Sequence, residues 1–190
     1  MDKIIYIIRN ALWVVMSRLL YGRNVRIIKG IPRIIANGTY FFGKEFTAGK
    51  DLRLEVVERA AVIRFGDRVK INDYFHIGAA YHISIGDDVL IGSRVTIVDH
   101  GHGQYSGGNC SVPSVPPDTR VLQGAPISIE SNVWLCEGVV VLSGVTIGAG
   151  AIVGANSVVT SDIPPGCIAA GIPARVIKKY SEESGEWVRL

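Results

Sequence analysis

The feature that most constrains this 190-residue chain is a period of six. From Ile129 onward every sixth residue is aliphatic: Ile129, Leu135, Val141, Ile147, Val153 and Val159. Four residues after each stands a small or aliphatic side chain: Val133, Val139, Val145, Ala151, Ser157 and Ile163. The same phase runs earlier through Phe65, Ile71 and Ile77, slips by two residues, and resumes at Ile85, Ile91 and Ile97, with Gly66, Gly78, Gly86 and Gly92 one step behind. A helix repeats about every 3.6 residues and an ordinary strand every two, so neither accounts for so long a run of sixes. Short strands that turn at every sixth residue do. The first position points inward, the fifth shares the interior, and the second sits at a corner where glycine eases the turn. Three such strands close a triangular coil, and stacked coils bury a continuous aliphatic column. The predicted fold class is therefore all-β, a parallel β-helix.

The remaining segments fit around that column. Residues 25–64 carry a looser version of the repeat and predict one or two irregular opening coils. Between Ile97 and Ile129 the chain is far longer than one hexad, so residues 99–126, rich in glycine, proline and serine, are expected to leave the coil as a long loop. The repeat domain spans 25–177, after Pro164 and Pro165 a capping strand is expected, and residues 178–190 are expected to form a short charged tail helix. In the N-terminal segment, 1–24, Ile4, Ile8, Leu12, Val15 and Leu19 fall on one helical face. Arg9, Asn10 and Arg18 interrupt the apolar stretch 4–20, so a membrane span and a signal peptide are both disfavoured.

Composition narrows the function classes. A formal charge of +3 without a long basic run gives little support to nucleic-acid binding. Three cysteines, Cys110, Cys136 and Cys167, form no C-x-x-C pair, which predicts a reduced, cytoplasmic chain.

The stretch SNVWLCEGVVVLSGVTIGAGAIVGANSVVTSDIPPGCIAAGIPARVIK resembles the closing coils of hexapeptide-repeat acyltransferases, specifically the sugar O-acetyltransferase branch. The resemblance covers about residues 25–180. It implies a left-handed β-helix, a homotrimer, acetyl-CoA as acetyl donor without a metal, a groove between neighbouring subunits for the thioester, and one histidine as general base. By position, TIVDHG places that base at His100, with His102 as the alternate. The family's acceptor-site asparagine and tryptophan fall on Asn72 and Trp134, and its cofactor positions on Glu137, Ala155, Thr160, Ser161, Arg175 and Lys178. This chain departs from the pattern at Glu137, where the family has a small residue, and at Ala80, where it has an acid. The second departure points away from free small sugars of the maltose or galactoside type and toward a capsule, O-antigen or exopolysaccharide glycan.

The chemistry is consistent. A sugar hydroxyl is a poor nucleophile at neutral pH, and an imidazole with a pKa of about 6.5 suits its deprotonation. Direct transfer needs only that base and a donor to the developing oxyanion, for which the backbone N–H near Glu137 is a candidate. Cys110 is the possible acyl carrier in the loop. Asn72 and Trp134 flank one corner of the triangle and His100 follows another face, a separation that a threefold trimer removes. Arg175 and Lys178 offer fixed positive charge to the phosphates of CoA. Two other classes remain open: zinc-dependent hydration on the carbonic-anhydrase model of this fold, for which His76 and His82 fall on different faces, and a non-catalytic β-helix scaffold. The apolar segment 4–20, with Lys3, Arg9, Arg18, Arg23 and Arg26 in or after it, reads either as a helix packed on the first coil or as a peripheral contact with the inner membrane face.

Overall fold

The computed structural model describes residues 3–190. A helix, α1 (Lys3–Tyr21), leads into a three-faced parallel β-helix. The first face stacks seven parallel strands from Val25–Ile28 to Cys167–Gly171, the second runs from Arg33–Ala36 to Val158–Val159, and the third from Thr39–Phe41 to Thr146–Ile147. The hexad phase becomes the register. Ile71, Ile91, Leu135, Val153 and Ala169 align down the first face. Leu54, Ile77, Ile97, Val141 and Val159 align down the second. Phe65, Ile85, Ile129 and Ile147 align down the third. All of these are buried, so each coil removes its neighbour's aliphatic layer from water. The opening coils are complete, and Phe42, Phe46 and Phe65 pack against one another where aliphatic residues are scarce, with ring centroids 4.4 Å apart for Phe42 and Phe46.

Corner chemistry differs from the expectation. The second-position glycines do not carry the left-handed conformation; it falls two residues later, at Arg68, Tyr74, Asp88, Arg94, Asn132, Gly138, Gly144, Gly150 and Asn156. Gly86 and Gly92 are small for another reason. A Cβ on Gly86 would stand 2.7 Å from the Ser131 nitrogen, and one on Gly92 would stand 2.6 Å from the Glu137 nitrogen, so the next coil's backbone occupies the space.

Three segments depart from prediction. Residues 178–190 form no helix: Ala174–Ser181 turns back on Cys167–Gly171 and pairs antiparallel with Glu186–Arg189. Tyr180 and Trp187 stand opposite each other in that hairpin and pack edge to face. The excursion leaves the coil as expected and carries a hairpin of its own. His100–His102 pairs antiparallel with Leu122–Gly124, and the Arg120 guanidinium donates to the Val115 carbonyl at 2.6 Å and to the Tyr105 hydroxyl at 2.6 Å. Finally, α1 does pack on the first coil, but through the face opposite its aliphatic stripe. Asn10, Trp13, Val14, Ser17 and Tyr21 are turned toward the coil, and the Ser17 hydroxyl accepts from the Ile28 N–H at 2.8 Å. Ile4, Ile8, Leu12, Val15 and Leu19 are all more than half exposed. By length and composition alone α1 is long and apolar enough to cross a membrane, and Arg9 and Arg18 within it make a span costly.

Candidate active site

The two-residue slip in the repeat has a structural consequence. After the strand His76–Ala79 the corner passes through Ala80 and Tyr81, whose two backbone N–H groups need an acceptor. The fully buried carboxylate of Asp99 supplies it, accepting from Ala80 N–H at 2.7 Å and from Tyr81 N–H at 2.9 Å. The same carboxylate stands 3.0 Å from His100 Nδ1. A carboxylate can only accept here, so Nδ1 carries a proton, and in the neutral ring the lone pair is on Nε2. The His100 side chain is 12% exposed, held by Asp99 yet open at one edge. His102 lies in the exposed hairpin and has no such support. Sequence reasoning missed Asp99, although it stands immediately before the histidine in TIVDHG.

The other predicted residues divide between two edges. Thr160 and Ser161 are exposed at the end of Val158–Val159, on the second face, two coils beyond the strand that leads to His100. Trp134, 45% exposed, stands on the first face in register with Lys70 and Leu90. Asn72 is exposed just past the same row. Ala155 follows the first-face strand Ile152–Val153, and Arg175 and Lys178 lie on the strand antiparallel to the last first-face strand. Both basic side chains are exposed, and Arg175 donates to the Ala174 carbonyl at 2.9 Å. The Glu137 carboxylate is engaged by the Arg94 guanidinium at 2.5 Å, leaving its backbone as the part that could serve a ligand. Within one subunit, then, His100, Thr160 and Ser161 share one face, while Asn72, Trp134, Ala155, Arg175 and Lys178 share another.

Cys110 is exposed in the excursion, its thiol 3.3 Å from the Gly107 carbonyl, and the three cysteines are unpaired. Among the described residues no three His, Cys, Asp or Glu side chains converge as a metal site. His76 lies on the second face and faces Glu55, whereas His82 lies on the third. A groove of about 860 Å³ runs between the third and first faces past Phe41, Arg64, Asp67, Ser84 and Glu130, and holds none of the predicted site residues.

Comparison with known proteins agrees with this architecture. The bacterial transferase hexapeptide model (six repeats) matches residues 126–161, and the hexapeptide repeat of succinyl-transferase matches 82–101. WbbJ of Escherichia coli (strain K12), named for lipopolysaccharide biosynthesis O-acetyl transfer, is 45% identical over 175 residues, covering 92% of this chain and 88% of that protein. The galactoside O-acetyltransferase of the same strain is 36% identical over 132 residues, 66% of this chain and 61% of its own. Among solved structures, AntD, an N-acyltransferase from Bacillus cereus in complex with dTDP-4-amino-4,6-dideoxyglucose and coenzyme A, shares the fold with a TM-score of 0.66 over 90% of both chains at 21% identity. A galactoside acetyltransferase in complex with coenzyme A matches with a TM-score of 0.50 and 29% identity over 80% of this chain and 66% of that one. With the register, the coils and the WbbJ match in agreement, the chain belongs to the hexapeptide-repeat acyltransferase family, in its sugar O-acetyltransferase branch, and is an acetyl-CoA-dependent O-acetyltransferase with the left-handed β-helix fold.

Proposed function

We propose that this enzyme acetylates a hydroxyl of a polysaccharide precursor, with His100 as general base, in a cytoplasmic homotrimer held at the inner membrane face. The observation that carries the reading is the Asp99–His100 pair. Asp99 fixes the tautomer, so Nε2 is the ring nitrogen that can take a proton from an acceptor hydroxyl. The hydroxyl oxygen then attacks the thioester carbonyl carbon, the C–S bond breaks as the tetrahedral intermediate collapses, and the imidazolium returns its proton to the departing thiolate. The products are an O-acetyl sugar and free CoA thiol. No acyl-enzyme is required, which leaves Cys110 outside the reaction.

The trimer reading is supported by the division of the candidate residues between two faces. If the second-face edge of one subunit meets the first-face edge of the next, His100 comes opposite Asn72 and Trp134, and Arg175 and Lys178 stand where CoA phosphates would pass. His100→Ala should reduce turnover by about 100- to 10,000-fold, or about 3 to 5 kcal/mol of transition-state stabilisation, while acetyl-CoA still binds. Loss of activity in His102→Ala with retention in His100→Ala would move the base to His102.

The membrane part rests on α1. Its outward stripe is aliphatic, Arg9 and Arg18 flank that stripe on opposite sides of the helical projection, and it contains no acidic residue. Three copies on one face of a trimer would act together on an anionic bilayer. Such placement suits a lipid-linked or polymeric glycan better than a free sugar, in keeping with Ala80. An Ile8→Glu, Leu12→Glu, Leu19→Glu variant should stay in solution where the unaltered protein floats with anionic vesicles. Equal partitioning of the two refutes the membrane contact.

A further inference from the structure

We propose that the hollow where α1 meets the opening coils is a headgroup site for a membrane lipid whose phosphate is a monoester, the lipid's chain lying in the apolar cleft that continues the hollow. The hollow, about 310 Å³, is lined by Tyr6, Arg9 and Trp13 from α1 and by Lys29, Lys50 and Asp73 from the coils. Register brings the last three together. Val25–Ile28, Phe46–Ala48 and Lys70–Ile71 stack in parallel on the first face, and Lys29, Lys50 and Asp73 follow these strands by one or two residues. Three cations against one carboxylate leave the lining with a net charge of +2.

The carboxylate does not cancel that charge by pairing. Asp73 Oδ1 accepts from the Lys50 backbone N–H at 2.8 Å, and among the described residues none of Arg9, Lys29 and Lys50 forms an ion pair. The Arg9 guanidinium lies instead over the Tyr6 ring, 5.8 Å from its centroid. Elsewhere the coils pair their arginines, Arg53 with Glu55, Arg68 with Asp88 and Arg94 with Glu137. Cations gathered around one hollow repel each other until an anion joins them. A phosphomonoester carries about 1.5 to 2 negative charges at neutral pH and three strong acceptor oxygens, which matches the lining in charge and in donors.

The adjoining cleft points to the rest of the ligand. It holds about 60 Å³, shares Trp13 and Gly30 with the hollow, and runs on between Met16, Leu20, Ile31 and Pro32. Met16, Leu20 and Ile31 are 46%, 63% and 89% exposed, an apolar lining that the described residues leave uncovered. Where the two meet, Gly30 has a φ of 77°, and a Cβ on it would touch nothing within 4 Å. On the helical projection Met16 and Leu20 lie between Trp13 and the outward stripe of α1. A hydrocarbon chain in the cleft thus lies beside the surface proposed to meet the bilayer. A free phosphate would use the cations and leave the cleft wet, whereas a phospholipid uses both.

The inference rests on the membrane placement of α1, and the test separates the two. The probes are phosphatidylcholine vesicles carrying either phosphatidic acid, a monoester, or phosphatidylglycerol, a diester, at matched surface charge, and dihexanoyl phosphatidic acid in free solution. The full chain should bind the phosphatidic acid vesicles about 10-fold or more tightly than the phosphatidylglycerol ones. Lys29→Ala with Lys50→Ala should abolish that preference. Arg18→Ala with Arg23→Ala removes as much charge outside the hollow, and should weaken binding to both vesicles alike and keep the preference. Calorimetric titration with the short-chain lipid should give a saturable heat that the lysine variant loses and inorganic phosphate does not reproduce. That heat from a chain that floats with neither vesicle would overturn the membrane contact and keep the site. The site is overturned if the chain floats equally with both vesicles, if the preference survives in the lysine variant, or if the short-chain lipid gives no saturable heat. Equal affinity for inorganic phosphate would overturn the lipid and leave an anion site. A lysine variant that loses affinity for acetyl-CoA would overturn the proposal by assigning the cations to the acetyl donor.

Discussion

The second-face edge and the first-face edge are made from the same hexads and differ in what they do with their side chains. Along the second face, polar groups are tied to one another: Asp99 to His100 and to two backbone N–H groups, and Glu55 to His76 and Arg53. Along the first face Asn72, Trp134, Arg175 and Lys178 are exposed, and Arg175 reaches only its neighbouring carbonyl. The difference teaches that one edge is organised within the subunit, as the proposed proton transfer from the acceptor hydroxyl requires. The other edge presents groups that reach full use only against something else, which in the proposed trimer is the neighbour's second face and the two substrates.

The sharpest way to break this contrast is at Asp99. Asp99→Ala removes the Oδ1 atom that accepts from both Ala80 N–H and His100 Nδ1, so turnover should fall by about 100-fold or more. The Michaelis constant for acetyl-CoA should change little, and thermal unfolding should report the loss of a buried hydrogen-bond set, about 1 to 3 kcal/mol for each N–H left unpaired. A variant with full activity would mean that the Asp99–His100 contact is structural alone. On the opposite edge the expected effect is smaller and of another kind. Arg175→Ala with Lys178→Ala should raise the Michaelis constant for acetyl-CoA by about 10-fold, and do so less at high salt, with turnover nearly preserved. Unchanged affinity for acetyl-CoA would return both residues to the role of a solvated strand surface.

How far these edges can be read in the sequence depends on range. The hexad phase is a local signal repeated many times, so Ile71, Ile97 and Ile129 are legible as core without any knowledge of neighbours. The seat of His100 is not local. It needs the carboxylate of residue 99 to meet the N–H groups of residues 80 and 81, a full coil earlier, and only the two-residue slip between Ile77 and Ile85 hints that something must fill that corner. Glycine shows the same limit. Gly78, Gly86 and Gly92 look alike in the repeat, but what a Cβ would meet is set by the adjacent coil. At the C-terminus the charged tail reads as helix until its pairing partner, Cys167–Gly171, offers an edge to extend. In α1 the apolar stripe is legible, but not its direction, because Ser17 and Tyr21 on the opposite face make the better contact with the first coil.

The central claim is that catalysis joins the second-face edge of one subunit to the first-face edge of the next, and subunit mixing tests it most directly. Coexpressed His100→Ala and Asn72→Ala/Trp134→Ala chains, each inactive alone, assemble at random into mixed trimers in which about one interface in four carries both intact edges. The account predicts recovery of about a quarter of the unaltered activity in that mixture, with differently tagged chains confirming that the trimers are mixed. Mixed trimers no more active than either parent would contradict it, and would place the base and the acceptor groups in a site formed within a single subunit.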